Sequence, residues 1–323
     1  MTEIRSGILN IYKEVGWTSF DVVAKLRGIM RIKKIGHAGT LDPAAEGVLP
    51  VCIGRATRIA ELLSDETKAY RAKMRLGIET DTLDQTGTVL RTADPNLLAK
   101  ATGQQIREAA ALFEGGYDQI PPMYSAKHVN GKRLYDLARE GKTVERRPVR
   151  VRIDEIGVEE IDMENGPLVV LKVTCGRGTY IRSLIADIGD KLGCGAVMTE
   201  LVRTRVGPFD IGGALTVGQV EAAAGDRSDD SALRAGRLAA LMTPVDQVFS
   251  HMPAAAVSES CRKLALNGNK IPVSGIRFES DCPGAGNGRD MFRLYDPEGV
   301  FIGVFRLEDE SGKARPVKMF YPS

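Results

Sequence analysis

Two hydrophobic periods meet within one short stretch of this chain, and together they limit what it can fold into. Val169, Leu171, Val173 and Cys175 recur at every second residue, the period of a strand. Ile181, Leu184, Ile185, Ile188 and Leu192 recur at helical spacing, and Gly193 follows as a C-terminal stop. Gly176-Arg177-Gly178 makes the turn between them. The same two periods return elsewhere. Residues 8–12, 48–53 and 70–76 read as strands. Thr18, with Asp21 three residues on, opens a helix whose apolar face is Phe20, Val23, Leu26 and Met30. Thr102 with Gln105 opens another, striped by Ile106, Ala109, Ala110 and Phe113. Loops rich in Gly, Thr and Asp fill residues 33–43 and 80–88. Strands and helices are mixed without strict alternation, which predicts an α+β fold rather than a doubly wound α/β one.

A chain of 323 residues has room for two domains. Its character changes near residue 250. Beyond that point come a glycine-rich loop at 284–288, a strand at 291–295, the turn Asp296-Pro297-Glu298-Gly299 and a strand at 300–307. These signals predict a main domain over 1–250 and a small β-rich one over 251–323. The polar stretch 225–231 reads as a surface excursion, and no internal repeat is present.

Several chemistries are missing from the sequence. The five cysteines form no CxxC pair, and three histidines give no zinc-ligand spacing. They read as small buried hydrophobes in a reducing cytosol. Neither GxxxxGK[ST] nor a strand–GxGxxG–helix unit occurs, so no nucleotide, metal or other cofactor is expected. The N-terminal residues lack the apolar core of a signal peptide, and no apolar run reaches the roughly 18 residues of a membrane span. The expectation is a cytoplasmic protein without a membrane partner.

The net charge is only +2, yet charge is clustered. Residues 22–41 hold Lys25, Arg27, Arg31, Lys33 and Lys34 and no acid; residues 127–152 hold nine Lys or Arg against three acids. Such stretches can neutralise phosphates. They can equally be ordinary solvated surface, and charge alone leaves both readings open.

The densest chemistry is Gly36-His37-Ala38-Gly39-Thr40-Leu41-Asp42-Pro43. A carboxylate held on a tight loop can serve as nucleophile or base. Taken alone, Asp before Pro is more simply a turn. Arg182 stands just after a glycine turn and could be a carboxylate's partner, since a nearby guanidinium favours the ionised form of an acid; it could also be a surface arginine. Tyr70 and Tyr180 lie among basic residues, which suits base stacking, but half-buried tyrosines with surface hydroxyls are commoner. His37 could contact a phosphate or base, or simply bond within its loop.

Four segments then resemble one family. They are GHAGTLDPAAEGVLPVCIG from Gly36, KAYRAKMRLGIETDTLDQTGTV from Lys68, QIPPMYSAKHVNGKRLYDLAREG from Gln119 and CGRGTYIRSLIADIGDKLGCGA from Cys175. In this order and spacing they resemble the TruB family of tRNA pseudouridine synthases, densely over residues 8–210. The tail is similar to a PUA domain only loosely, through LNGNKIPVSG and the closing strands.

The resemblance implies a pseudouridine-synthase fold with a mixed central sheet, no cofactor, and isomerisation of one T-loop uridine of tRNA. It implies Asp42 as the catalytic residue, Tyr70 stacked on the target base and Arg182 as partner of Asp42. It makes Tyr180 and Leu201 further pocket walls, and His37 the residue that fills space vacated in the RNA stack. Lys13 is a further RNA-backbone candidate; Lys132, Arg146 and Arg147 are others, on the segment 127–152, which its Lys and Arg content and bracketing glycines predict to be an RNA-gripping insertion. The sequence departs from the family pattern at Lys13-Glu14, at Lys127-His128 and at Val202-Arg203. A carboxylate here can attack the sugar, attack the base or take a proton. Two rivals share the motifs: a binding protein without catalysis, and a guide-dependent subunit that needs partners. The intact Asp42, Tyr70 and Arg182 argue against the first. A match starting near residue 8 with no basic extension argues for a form that needs no obligate protein partner.

Overall fold

The computed structural model describes residues 6–321 apart from 126, 130, 143, 165–166, 227–228, 280–289 and 309–310. For residues 128, 129, 132, 133 and 139 it describes the backbone alone. The expected glycine-rich loop at 284–288 lies outside the described residues.

The larger body is built on a mixed sheet. Its long strands are β1 (Gly7–Lys13), β2 (Glu46–Ile53), β3 (Lys68–Leu76), β4 (Gly115–Gln119), β5 (Val149–Asp162), β6 (Leu168–Cys175) and β7 (Ala196–Val206). They lie in the order β1-β2-β7-β3-β6-β5-β4, with the short strands Ile35–His37 on β2 and Phe209–Asp210 on β7. Neighbours on this path are antiparallel except β2 and β7. The expected α+β class is therefore the observed one.

Helices flank the sheet as the periodicity predicts. Helix α1 (Ser19–Met30) starts with a capping box between Thr18 and Asp21, and α2 (Gly103–Ala111) with one between Thr102 and Gln105. Helix α3 (Ile181–Lys191) buries Ile181, Leu184, Ile185 and Ile188, and Gly193 follows in the left-handed region at φ +75°. Phe20 is a correction. Expected on the apolar face of α1, it is 65% exposed, with the Arg27 guanidinium 5.9 Å from its ring centre. Val22, Val23, Leu26, Ile29 and Met30 form the buried face instead.

A second sheet holds the tail. Strands β8 (Ala254–Val257), β9 (Met291–Tyr295), β10 (Phe301–Glu308) and β11 (Lys313–Met319) run side by side, with Ile271–Pro272 and Ile276–Phe278 at its two edges. Its Val304 and Phe320 enter the same apolar cluster as Ile8, Val48 and Phe249 of the larger body. Among the described residues no helix is long and apolar enough to cross a membrane.

Candidate active site

Register alone assembles the floor of the site. Lys13 of β1 stands opposite Gly47 of β2, Gly47 opposite Arg203 of β7, Arg203 opposite Tyr70 of β3, and Tyr70 opposite Val173 of β6. One row of residues thus crosses five strands. Gly47 is the point where two backbones close up: it sits at φ +105°, and a side chain there would collide with the Arg203 backbone.

Arg203 is 1% exposed. Its Nε donates to the Val48 carbonyl at 2.7 Å, Nη1 to Thr40 O at 3.3 Å and Nη2 to Gly39 O at 3.2 Å. Among the described residues no carboxylate pairs with it. Burial lowers its pKa, and the Tyr70 hydroxyl beside it opposes that shift. Three carbonyl dipoles therefore hold the buried charge, and in doing so they pin the loop that carries Asp42.

Asp42 emerges from that loop with its side chain 45% exposed. Its Oδ2 lies 2.8 Å from Nη2 of Arg182, whose own side chain is 7% exposed. The surface-arginine alternative for Arg182 is thereby removed. The rest of that guanidinium is also engaged. Nη1 donates to Thr82 O at 3.1 Å, Nη2 to Tyr124 O at 2.8 Å, and Nη1 stands 3.7 Å from Asp84 Oδ2. Asp84 is oriented in turn by the hydroxyls of Thr82 and Thr86 and the Thr86 N–H. One buried cation thus faces two carboxylates, and only Asp42 is turned toward solvent. Asp84 side-chain exposure is 14%.

The other expected site residues divide. Tyr70 and Leu201 are buried and share an apolar cluster with Leu41, the residue before Asp42. Burial pushes the Tyr70 phenol up, so it is neutral near pH 7. Tyr180 caps α3, half-buried; its N–H donates to Gln119 Oε1 at 2.8 Å and its carbonyl accepts from Gln119 Nε2 at 3.0 Å. His37 closes the strand Ile35–His37, half-buried, and its Nδ1 finds no hydrogen-bond partner among the described residues. Burial, then Arg203, holds the His37 pKa down, which keeps the ring neutral at pH 7.

Lys13 is a correction. An RNA phosphate cannot reach it: the residue is 0% exposed, and its ammonium donates to Trp17 O at 2.7 Å and Glu14 O at 3.1 Å. Burial lowers its pKa to about 8, and the charge of Asp42 opposes the shift. The basic segment 127–152 is not all insertion either, because Val149 already begins β5. Before it stand the hairpin His128–Val129 with Lys132–Arg133 and the short helix Leu134–Arg139, anchored by buried Leu134 and Leu137. Arg146 is half-buried and donates to Pro121 O at 3.1 Å; Arg147 is exposed; the Lys132 side chain lies outside what is described.

Sequence reasoning passed over Asp84 and Arg203. Asp84 sits in a loop of Thr and Asp that carries no periodic signal. Arg203 interrupts a strand where a polar residue normally faces water, and only the register reveals what it holds. Among the described residues no cluster of His, Cys, Asp or Glu could hold a metal.

Comparison with known proteins bears on this geometry. Residues 27–181 match the model of the TruB family pseudouridylate synthase N-terminal domain, and residues 182–250 that of the tRNA pseudouridylate synthase B C-terminal domain. The chain is 43% identical over 320 residues to the tRNA pseudouridine synthase B of Lachnoclostridium phytofermentans, covering 98% of this chain and 99% of that one. It is 41% identical over 308 residues to the protein of the same name from Alkaliphilus oremlandii, covering 95% and 96%. Among solved structures, a chain of a Cbf5-Nop10-Gar1 complex superposes with a TM-score of 0.70 at 27% identity, covering 99% of this chain and 85% of that one. A chain of an H/ACA RNP bound to a substrate RNA containing 2'-deoxyuridine gives the same TM-score at 26% identity, covering 98% and 85%. With both family models matched and relatives alike from end to end, the chain belongs to the TruB family of pseudouridylate synthases.

Proposed function

We propose that this chain converts one uridine in the T-loop of tRNA, the position conventionally numbered 55, to pseudouridine. The observation that carries the reading is the Asp42–Arg182 pair, open to solvent on the carboxylate side, with Tyr70 and Leu201 buried in the cluster that holds Leu41. Near-full-length relatives named tRNA pseudouridine synthase B support its broader part, pseudouridine formation in tRNA.

The reaction fixes what the site must do. The bond between ribose C1' and uracil N1 breaks, the base turns, C1' bonds to C5, and in net terms the C5 proton is exchanged for one on N1. Nothing is oxidised or reduced, so no electron carrier is needed. A base within a folded loop must first leave its stack. In this reading Asp42 supplies the reactive carboxylate, at the sugar or at the base, and Arg182 fixes its direction. Tyr70 stacks on the flipped base and keeps its neutral hydroxyl near C5. Tyr180 and Leu201 close the pocket, and His37 fills the space left in the RNA. Arg146, Arg147 and Lys132 hold the backbone from the insertion.

Residues 1–250 act as the synthase domain and 251–323 as a PUA-like RNA-binding module; the end of the second family match at residue 250 supports that boundary. The enzyme acts in the cytoplasm on bare tRNA, without guide RNA or a second protein. The test is incubation of the purified chain with unmodified tRNA tritiated at uracil C5, and with an isolated T-arm. Tritium release from the T-loop uridine is expected from both. No release from either, or release only when a guide RNA is added, would overturn the reading.

A further inference from the structure

We propose that Ser19 is a positioning residue for Asp42, acting through the backbone of Leu41. The inference rests on the functional reading of Asp42 given above.

Ser19 is the first residue of α1 and is 2% exposed. Its hydroxyl accepts from the Leu41 N–H at 2.9 Å and donates to the Leu41 carbonyl at 3.3 Å. A serine at the start of a helix ordinarily caps it. Here that task is already done. Thr18 is the cap, accepting from the Asp21 N–H at 3.0 Å, while Asp21 accepts from the Thr18 N–H at 2.9 Å. The Ser19 hydroxyl therefore serves the facing loop and not its own helix.

The other side of Asp42 is fixed from the same place. The Gly16 N–H donates to the Pro43 carbonyl at 2.8 Å. Arg203 meanwhile holds the carbonyls of Gly39 and Thr40. Backbone groups of residues 39, 40, 41 and 43 are thus each tied to a neighbouring element, and Asp42 points from a fixed stretch of chain toward Arg182. Leu41 is itself buried against Tyr70 and Leu201. Removing the Ser19 hydroxyl strips a buried N–H and a buried carbonyl of this partner at once. The loop must then shift to satisfy them. A shift of about 1 Å at a reacting group costs on the order of a hundredfold in rate.

The test uses the full chain on unmodified tRNA, with kcat, KM, tRNA affinity and melting temperature measured for Ser19→Ala. The expected result is a loss of roughly ten- to a hundredfold in kcat, with KM and affinity within about twofold of the parent. A purely structural serine would lower the melting temperature and leave kcat of the folded protein alone. The isosteric pair Ser19→Thr and Ser19→Val is measured beside it, because the two match in volume and differ in the hydroxyl. Thr is expected to turn over at least ~10-fold faster than Val. A folded Ser19→Ala with parental kcat, or equal rates for Thr and Val, would overturn the inference while leaving the role of Asp42 intact. An inactive parent chain would instead overturn the functional reading and this inference with it.

Discussion

Two buried arginines divide the work at the site. Arg182 faces two carboxylates, Asp42 and Asp84; Arg203 faces three backbone carbonyls and, among the described residues, no acid. Their substitutions should therefore fail differently. Arg182→Met leaves Asp42 without its director and is expected to lower kcat by at least ~100-fold, with a cooperative unfolding transition retained. Parental turnover in that variant would dissolve the pair's catalytic role. Arg203→Met strips one buried carbonyl, Val48, and two part-buried ones of their donor, so the loss should be about 1–3 kcal/mol in denaturant unfolding. A change below 1 kcal/mol would show that water or a shifted loop replaces the guanidinium. Only part of this distinction was legible before the register was known. Motif position singled out Arg182, because a turn and a helix start precede it. Arg203 stood out only as part of a departure from the family pattern, since its partners lie about 155 to 165 positions away.

Helix α3 shows what local pattern can and cannot reveal. Its apolar spacing and its glycine stop were legible, because both are written within the element. The acid on its inner side was not. Asp187 stands beside Tyr117 of β4, and burial raises its pKa to about 6; Asp190 adds to the shift, while Tyr117 and Lys191 oppose it. A folded pKa above the unfolded value of about 4 means that the folded state binds the proton more tightly. The benefit is complete below that unfolded value and is lost as pH rises through 6. Asp187→Asn should accordingly raise the melting temperature at pH 8, with the gain shrinking toward pH 4. A gain that stays constant across this range would show that Asp187 is not the titrating group. The strand Ile35–His37 is a second such case. Three residues between Lys34 and Ala38 carry no period, and they become a strand only because β2 offers an edge.

At the scale of the whole molecule, the α+β class was readable because it rests on the periods of many residues. The contacts that close the molecule were not. Tyr295 of β9 donates to Asp246 at 3.0 Å, and Arg58 donates to the Met319 carbonyl of β11 at 3.0 Å, from residues far apart in sequence. RNA binding belongs to this scale too. Arg147 is exposed just ahead of β5, whereas Arg146 is partly occupied by Pro121. Arg147→Ala should weaken tRNA binding and reduce the slope of log affinity against log salt by about 1. An unchanged slope would remove Arg147 from the phosphate contacts.

The central claim is that Asp42 performs the chemistry and is not merely a binding residue. Asp42→Asn keeps the size of the side chain, and Asp84 remains beside Arg182, so the fold should persist. The deciding measurement is pseudouridine formed in unmodified tRNA by this variant, taken together with its tRNA affinity. The account predicts no detectable pseudouridine at an affinity within about threefold of the parent's, because charge and nucleophile are lost while the RNA surface is untouched. Conversion at the parental rate would contradict it and move the chemistry to another residue.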